Sequence, residues 1–459
     1  MSASEQHHSA PNDLRASDWH ARVWTLAWPT ILSNISAPVV AAVDTAMVGH
    51  LGEPRFIGAV AIGAVIFTFV QWGFSFLRMG TTGLAAQALG GGHRVEVNAT
   101  AIRALIVAVI VGFALVMAQN PIATLAFYFM QGSAAVEAGA QSYFAIRIWG
   151  APAVLINMAV LGMLFALQRM RAALVTQLVL NVVNVILDVV FVVGFDLGVV
   201  GVAWASVIAE TVAAGLGLYF LWQALVQLGG AWHGLDLFNA ARLRGLLVTN
   251  ANIFLRTLAV QITFFYFASA GARQGDIVLA ANALLLHLFQ IMSYGLDGFA
   301  FAVEALVGNA YGARNAGALR AITRSAAMWS ALTAIAMSLS YWILGESLLR
   351  LMTDVEIVIT TAKVYLPWLI CAPLICVWCY LFDGVFFGTT HTREARNSIV
   401  LAAAAYFPLV WLLTPSWSNH GLWFAVLVFM AVRGIALWLW FPRVLSAATP
   451  ESSTRAASD

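Results

Sequence analysis

The chain has 459 residues, of which 61% are hydrophobic and only 10% are charged, and its mean hydropathy is +0.86. These polar side chains are too few to cover a water-soluble globule of this size. The composition therefore excludes a soluble protein and indicates an integral membrane protein. The net charge of +2 discriminates little, because in such a protein the position of the charges carries the information. The long apolar segments do not alternate with polar residues, which favours helices over the strands of a barrel.

Twelve transmembrane helices are predicted when about 20 apolar residues are counted per crossing. Residues 1–21 are polar and contain no apolar signal region, so we expect a tail that is not cleaved. The predicted helices lie near residues 22–48, 56–80, 99–118, 141–165, 172–193, 199–224, 246–270, 278–310, 322–345, 363–388, 397–414 and 421–441. The predicted fold class is therefore an all-α integral membrane protein.

One long polar linker, residues 225–245, divides the predicted helices into two groups of six. The expected domains are an amino-terminal bundle at 22–224, a carboxyl-terminal bundle at 246–441, and a tail at 442–459. Short connections elsewhere carry glycine and proline breakers, such as Asn120-Pro121 and Thr414-Pro415.

The two groups resemble each other at a near-constant offset. The segment Ala86–Gly90, which ends predicted helix two, matches Gly308–Gly312 at the end of helix eight, 222 residues later. The same offset relates Gly162 to Gly384. Because six helices separate equivalent positions, the repeats have the same orientation, as in transporters whose bundles are related by an axis along the membrane normal. We therefore expect two pseudo-symmetric six-helix bundles around a central cavity.

Basic residues at the predicted helix ends are distributed unequally between the two sides of the membrane. One side receives Arg15, Arg22, Arg94, Arg103, Arg169, Arg171, Arg242, Arg244, Arg314, Arg320, Arg324, Arg393, Arg396, Arg443 and Arg455. The other side receives Arg55, Arg273, Arg350 and Lys363. By the positive-inside rule the first side is cytoplasmic, so both termini are predicted to be cytoplasmic in a multi-pass protein of the inner membrane.

Asp44 places a carboxylate in an apolar segment of predicted helix one. Because a charged Asp at mid-membrane costs about 2.5 to 3.5 kcal/mol, such residues usually face a protein-lined cavity and take part in ion or proton traffic. Asp44 is therefore a candidate coupling residue, with a hydrogen bond to a neighbouring helix as the alternative. Pro29 and Pro38 on the same helix each remove a backbone hydrogen bond and can kink the helix. The helix could bend when Asp44 is protonated, or the kink could be static.

Asn184 and Asp188 are four residues apart on predicted helix five and so share one helical face. Asp44 and Asp188 each precede the outer end of an outward-running helix by about five residues, or about 7 Å, so the two acids could meet. Their repulsion would then require a proton or a bound cation to hold them together. Ser206 on helix six could add a hydroxyl ligand or could be a packing residue. Oxygen ligands of this kind suit Na⁺ as well as a proton, so both coupling ions remain open.

The second half carries three further acids within its predicted helices. Asp297 and Glu304 are seven residues apart on helix eight and share a face, and Asp383 lies in helix ten. They either line the cavity and attract a cationic substrate or pair with membrane-depth arginines, which are Arg78, Arg147, Arg256 and Arg433. Glu210 on helix six is expected to be structural. Side chains such as Tyr266, Met292 and Phe299 could form an adaptable cavity wall, with packing against lipid or within the core as the alternative.

Motifs for the common catalytic mechanisms are absent. The chain has no Gly-x-x-x-x-Gly-Lys phosphate loop, no Gly-x-Ser-x-Gly elbow and no His-Glu-x-x-His motif. The missing phosphate loop argues against ATP-driven transport by this chain. We predict a protein that is not an enzyme, needs no cofactor, binds no nucleic acid, and works as a monomer on small organic molecules in the lipid bilayer.

Six segments, in order, resemble the multidrug and toxic compound extrusion (MATE) family, and within it the DinF-like branch. They are Leu26-Ala-Trp-Pro29, Val43-Asp44-Thr45 with Val48-Gly49-His50-Leu51, Leu77–Ala88, Asn184–Asp188, Leu296–Ala305 and Trp378–Gly384. The likeness spans nearly all of residues 20–445.

This resemblance implies a cation-coupled exporter with two lobes that open alternately to either side of the membrane. It implies that Asp44, Asn184 and Asp188 form the cation site of the amino-terminal lobe, as ligands of the ion itself if Na⁺ is used. Ser206 stands where some relatives have a threonine, and Pro29 matches the helix-one proline that bends in the family. The helix-seven glutamate of the NorM-like branch has no counterpart between Phe254 and Ala270.

The leading functional hypothesis is a secondary antiporter that exports amphipathic or cationic organic compounds in exchange for H⁺ or Na⁺. A lipid or lipid-linked oligosaccharide flippase is the alternative on the same general fold, and it would need a basic cavity for phosphate. A passive channel or a membrane scaffold that transports nothing is the alternative from another class.

Overall fold

The computed structural model describes residues 16–49, 54–129, 134–232 and 236–449, and within these ranges the chain is helical and contains no strand. The helices of the first half are α1 (Ala16–Gly49), α2 (Pro54–Gly73), α3 (Phe76–Gly90), α4 (Arg94–Met117), α5 (Gln119–Phe129), α6 (Ala134–Arg147), α7 (Ala151–Ala166), α8 (Met170–Asp188) and α9 (Gly198–Leu228). The helices of the second half are α10 (Ala240–Ala272), α11 (Asp276–Gly312), α12 (Ala316–Met352), α13 (Glu356–Gly388), α14 (Thr392–Trp417) and α15 (Asn419–Ala447).

The predicted all-α membrane fold is confirmed. Among the described residues, eleven continuous helical segments are long and apolar enough to cross a membrane. They are preceded by α1, a helix of 34 residues that continues through Pro29 and Pro38. A short 3-10 turn, Ile148–Gly150, joins α6 and α7 into one crossing, and α2 and α3 form another. The crossings therefore match the twelve predicted helices one to one.

Several predicted boundaries are wrong. Predicted helix two is interrupted at Phe74 and Ser75, directly after Gly73, whose backbone loses more entropy in a helix than that of other residues. The predicted break at Asn120-Pro121 instead begins the extra helix α5, because a proline within the first turn removes no hydrogen bond that the helix needs. The helix α14 continues through Pro415 to Trp417.

The linker between the halves is shorter than the predicted 225–245. The helix α9 continues to Leu228 and ends at Gly229 and Gly230, whose φ angles of 71° and 111° a side chain would disfavour. The helix α10 begins at Ala240, where the Asn239 side chain accepts hydrogen bonds of 3.1 Å from two backbone amides of the first turn. The connection is therefore residues 229–239.

Turn geometry repeats at the offset that the sequence predicted. Three pairs of residues with positive φ are 222 positions apart: Gly92 and Arg314, Gln168 and Thr390, and Asp196 and Ser418. Left-handed backbone is uncommon outside glycine, so its recurrence at equivalent positions indicates that the halves share one chain path. We call α1–α9 the amino-terminal lobe and α10–α15 the carboxyl-terminal lobe.

The lobes meet through equivalent surfaces at the ends of α3 and α11. A side chain at Gly90 would overlap the backbone of Asn309, and a side chain at Gly312 would overlap the backbone of Gln87. Both residues of one contact are 222 positions from their counterparts in the other, so a pseudo-twofold axis passes between them. The Gln87 amide also donates across the lobes to the carbonyl oxygen of Gly388, at 2.9 Å.

This contact lies at the arginine-rich end of the molecule, because Arg94 and Arg314 directly follow the two helix ends. One apolar core is shared by both lobes there and contains residues of α1, α3, α11 and α13. A second core, around Met292 in the first part of α11, belongs to the carboxyl-terminal lobe. The lobes are therefore packed together towards the arginine-rich end.

Candidate functional site

The structure brings two of the predicted coupling residues together in the amino-terminal lobe. The Asn184 amide on α8 donates a hydrogen bond of 3.3 Å to the Ser206 hydroxyl on α9, and both residues are buried. Asp188 is fully buried one helical turn beyond Asn184, on the same face of α8. A carboxylate, an amide and a hydroxyl thus lie together inside one lobe.

Asp44 lies in the α1 helix, but its side chain is outside the described residues. The register of α1 against α8 is nevertheless fixed lower down, because the Asn181 amide donates to the Ser36 hydroxyl at 2.6 Å. Both helices are odd-numbered crossings and run in the same direction. Asp44 is eight residues beyond Ser36 and Asp188 is seven beyond Asn181, so both acids are about 11 to 12 Å further along their helices. Their pairing stays a prediction.

A π-helical segment, Val189–Gly194, follows Asp188 directly. Its wider turn is seen in the bond from the Phe195 amide to the Val190 carbonyl oxygen, five residues back, at 3.0 Å. Such segments are rare and are often found at functional sites. The sequence analysis did not predict it, although the run of valines after Asp188 offers a weak signal because β-branched residues fit poorly into a helix.

The carboxyl-terminal lobe has neither an amide nor a carboxylate at the positions equivalent to Asn184 and Asp188. Between the matched turns at Gln168 and Asp196, the 222-residue offset places Tyr406 opposite Asn184 and Val410 opposite Asp188. Tyr406 is buried in an aromatic cluster, with its ring 6.4 Å from that of Tyr266 and nearly perpendicular to it. The oxygen ligands of the predicted site therefore belong to the amino-terminal lobe.

Asp383 forms a buried ion-pair cluster inside the carboxyl-terminal lobe. One of its oxygens accepts from Arg433 at 2.7 Å and also from Arg256. These arginines lie on α15 and α10, so the carboxylate on α13 connects three helices. Arg433 is only 2% exposed, which makes the negative charge of Asp383 necessary for its burial. Of the two interpretations of Asp383, the structure shows the pairing with arginine.

Glu304 pairs across the lobes. Its carboxylate on α11 is 3.3 Å from the Arg78 guanidinium on α3, and it is 1% exposed. The Arg78 guanidinium also lies over the Phe301 ring, 3.9 Å from its centroid. Such a cation over an aromatic face adds to the pairing where water is excluded. The contact joins the lobes at a deeper level than the Gly90 and Gly312 contacts do.

Asp297 lies two helical turns before Glu304 and is partly buried. Within the described residues it makes no ion pair, although Arg78, Arg256 and Arg433 are within electrostatic range. Of Asp297, Glu304 and Asp383, Asp297 is therefore the acid that pairs with no arginine among the described residues.

Met292 and Phe299 are packed in the conformation observed, so their place in a substrate cavity wall stays a prediction. Both side chains are fully buried, Met292 in the carboxyl-terminal core and Phe299 against Trp24 of α1, with ring centroids 6.0 Å apart. Tyr266 is partly buried, and its hydroxyl accepts from the Trp411 indole at 2.9 Å. Apolar side chains suit a packed core as well as a cavity, and packing is what these three residues do.

Glu210 and Arg147 form a two-pronged ion pair within the amino-terminal lobe, with both N–O distances at 2.7 Å. Glu210→Gln should lower the free energy of unfolding by about 2 kcal/mol, because Arg147 then stays buried opposite a neutral group. We expect the midpoint of thermal unfolding in detergent to fall by about 2 °C. Glu137→Gln removes a partly buried acid that takes no part in this ion pair from the helix that carries Arg147, and it should leave the midpoint unchanged. Equal midpoints for the two variants would contradict the prediction.

Comparison with known proteins agrees with this arrangement. The MatE family matches residues 29–190 and 253–412, which fall in the two lobes. The chain is 40% identical to DNA damage-inducible protein F of Escherichia coli over 90% of each chain. It is 25% identical to a probable multidrug resistance protein NorM of Pseudomonas putida, over 91% of this chain and 92% of the relative.

A solved structure of a MOP superfamily transporter from Pyrococcus furiosus superposes with a TM-score of 0.86 at 18% identity, covering 94% of this chain and 96% of the other. At that identity the likeness establishes the fold alone. The family match and the 40% identity carry the assignment further. The chain belongs to the MATE family of membrane transporters, in its DinF-like branch.

Proposed function

We propose that this protein is a secondary antiporter that exports amphipathic or cationic organic compounds in exchange for H⁺ or Na⁺. The ion binds in the amino-terminal lobe to Asp44, Asn184, Asp188 and Ser206. The observation that carries the proposal is the buried contact between Asn184 and Ser206, with Asp188 one turn away. The relative from Pseudomonas putida is named for multidrug resistance, which supports the substrate class.

A buried carboxylate at this position supports coupling because its charge needs compensation. Asp188 has no exposure to solvent, and an ionised acid in such a place is stable only with a partner, a cation or a proton. Hard oxygen ligands accept Na⁺ and carboxylates accept H⁺, so either ion stabilises the site. Loading and release of that ion would then change how α1 and α8 pack.

The contacts between the lobes support alternating access. The lobes are packed at the arginine-rich end, and the positive-inside rule makes this end cytoplasmic in the inner membrane. The observed conformation is therefore closed towards the cytoplasm. Export would require the Gly90 and Gly312 contacts and the Arg78 to Glu304 pair to separate when cargo enters.

The central charges favour a cationic cargo over a phosphate-bearing lipid. Three arginines and three acids lie at this depth, and each arginine contacts an acid: Arg78 contacts Glu304, and Arg256 and Arg433 contact Asp383. No arginine of this set is left to bind a phosphate, whereas Asp297 makes no ion pair among the described residues. This balance favours organic cation export over a lipid-linked oligosaccharide flippase.

Reconstitution into liposomes tests the proposal directly. The purified protein should drive a cationic dye against its concentration gradient when a pH gradient or a Na⁺ gradient is imposed alone, and the effective gradient identifies the ion. A protein that only dissipates dye gradients under every ion condition would be a channel or a scaffold, and the proposal would be wrong.

Asp188→Asn should remove the response to the ion gradient while leaving dissipative dye movement and the folded helix content intact. The amide keeps the shape of the side chain but has no charge for a cation or proton to neutralise. Asp196→Asn is the matched control. Asp196 lies eight residues after Asp188 and is exposed, and asparagine tolerates the positive φ of this position. If Asp188→Asn retains full uphill transport, the ion site has been assigned to the wrong residues.

A further inference from the structure

A groove on the outside of the carboxyl-terminal lobe contains none of the residues of the proposed ion site. It lies between α12, α13 and α15 and has a volume of about 600 Å³. Its walls are mostly apolar and include Trp378 and Phe382 of α13 and Trp438 of α15. Two arginines of α12, Arg320 and Arg324, complete the lining at one end. The volume falls within the range of about 300–1,000 Å³ that is usual for small-ligand pockets.

The groove faces away from the other lobe. On α12, Trp329 packs against Trp24 of the amino-terminal lobe, with ring centroids 5.0 Å apart. Arg320 is nine residues before Trp329 and so projects from the opposite face of the helix, at about 100° per residue. Arg324 is one turn from Arg320 on the groove side. The groove therefore opens to the surroundings of the transporter and is separate from the contacts between the lobes.

The position of the groove along its helices matches one membrane leaflet. Arg324 is eight residues, or about 12 Å, from the start of α12 at the arginine-rich end. On α15 the lining runs from Phe441, near that end, back to Ala431, which is about 15 Å of helix. The charged part thus lies near the membrane surface, and the apolar part extends towards the bilayer centre.

The two arginines carry charge that the protein does not balance. Both are exposed, and within the described part of the chain neither makes an ion pair. A basic residue this far along a membrane helix is costly unless an anion or water reaches it. Basic pockets between transmembrane helices on the cytoplasmic side are suited to anionic lipid head groups.

We propose that this groove binds an anionic glycerophospholipid from the leaflet on the arginine-rich side. The phosphate lies between Arg320 and Arg324, and an acyl chain runs past Trp378 and Trp438. The paired arginines select the anionic head group, and the apolar walls select a lipid over a free phosphate. The bound lipid packs against Phe382 and Gly434, which are the immediate neighbours of Asp383 and Arg433 in the buried ion cluster.

Native mass spectrometry of the full-length protein tests this site with two lipids that have identical acyl chains, phosphatidylglycerol and phosphatidylcholine. We expect the first phosphatidylglycerol to bind about 30-fold more tightly than the first phosphatidylcholine, since each arginine contributes about fivefold. Arg320→Gln with Arg324→Gln should remove this preference and leave phosphatidylcholine binding unchanged.

The matched control is Arg171→Gln with Arg244→Gln, which removes two exposed arginines from the same end of the molecule. It should change phosphatidylglycerol affinity less than about twofold. Ala431→Trp fills the apolar part of the groove while both arginines remain, and should weaken the first phosphatidylglycerol about tenfold. Equal affinity of the wild type for both lipids, an equal loss in the control, or full affinity in Ala431→Trp would each overturn the proposal.

Discussion

Gly312→Leu should reduce the proposed export activity about 100-fold without disrupting the membrane fold. A side chain at this position would overlap the backbone of Gln87 in the other lobe, and backbone in a helix cannot move aside as a flexible side chain can. Overpacking of this severity costs about 3 kcal/mol, which depletes the conformation closed at the arginine-rich end by about 100-fold. The overlap exists only while the lobes are closed there, so each lobe should still fold.

Dye transport in liposomes measures the loss, and distances between spin labels show its cause. Arg171 and Arg393 are exposed or partly exposed, lie in different lobes and are equivalent in the repeat, so cysteines introduced there report lobe separation once the exposed Cys371 is replaced by serine. Gly312→Leu should lengthen that distance. Gly245→Leu, at a site with open space around it, should change neither measurement. An unchanged label distance in Gly312→Leu would contradict the closure argument.

The sequence predicted the fold well because hydropathy and repetition are long-range averages. Apolar runs identified the crossings, and the 222-residue offset seen in the sequence recurs in the equivalent turns at Gln168 and Thr390. Boundaries were less predictable, since they depend on local features such as Gly73 and the capping side chain of Asn239. Nothing in hydropathy distinguishes a helix that ends at the membrane surface from one that continues beyond it.

The candidate site was predictable where the signal was local. Asn184 and Asp188 share a face because they are four residues apart, and Ser206 was selected as a hydroxyl at a similar depth. The contact between Arg78 and Glu304 joins residues 226 positions apart, so only the packing of the lobes reveals it. For Met292 and Phe299 the sequence could not choose between two roles, because an apolar side chain has the same sequence signature in a packed core and in a cavity wall.

Asp383→Asn should destabilise the protein by about 3–5 kcal/mol, the largest stability effect that we expect of a single charge removal. Asp383 is the acid that accepts from both Arg256 and Arg433, and Arg433 has almost no exposure to solvent. Asparagine can accept a hydrogen bond but leaves two buried positive charges without a counter-charge in contact. The midpoint of thermal unfolding in detergent should fall by about 4 °C.

Asp297→Asn is the matched control for Asp383→Asn, because Asp297 is the acid in this cluster that makes no ion pair among the described residues. We expect its midpoint to change by less than about 2 °C. Adding Arg433→Met to Asp383→Asn should recover about half of the lost stability, since methionine fills similar space without a buried charge. If Asp297→Asn lowered the midpoint as much as Asp383→Asn, the stability of the cluster would depend on its total charge. The assignment of Asp383 as the counter-charge of Arg433 would then be wrong.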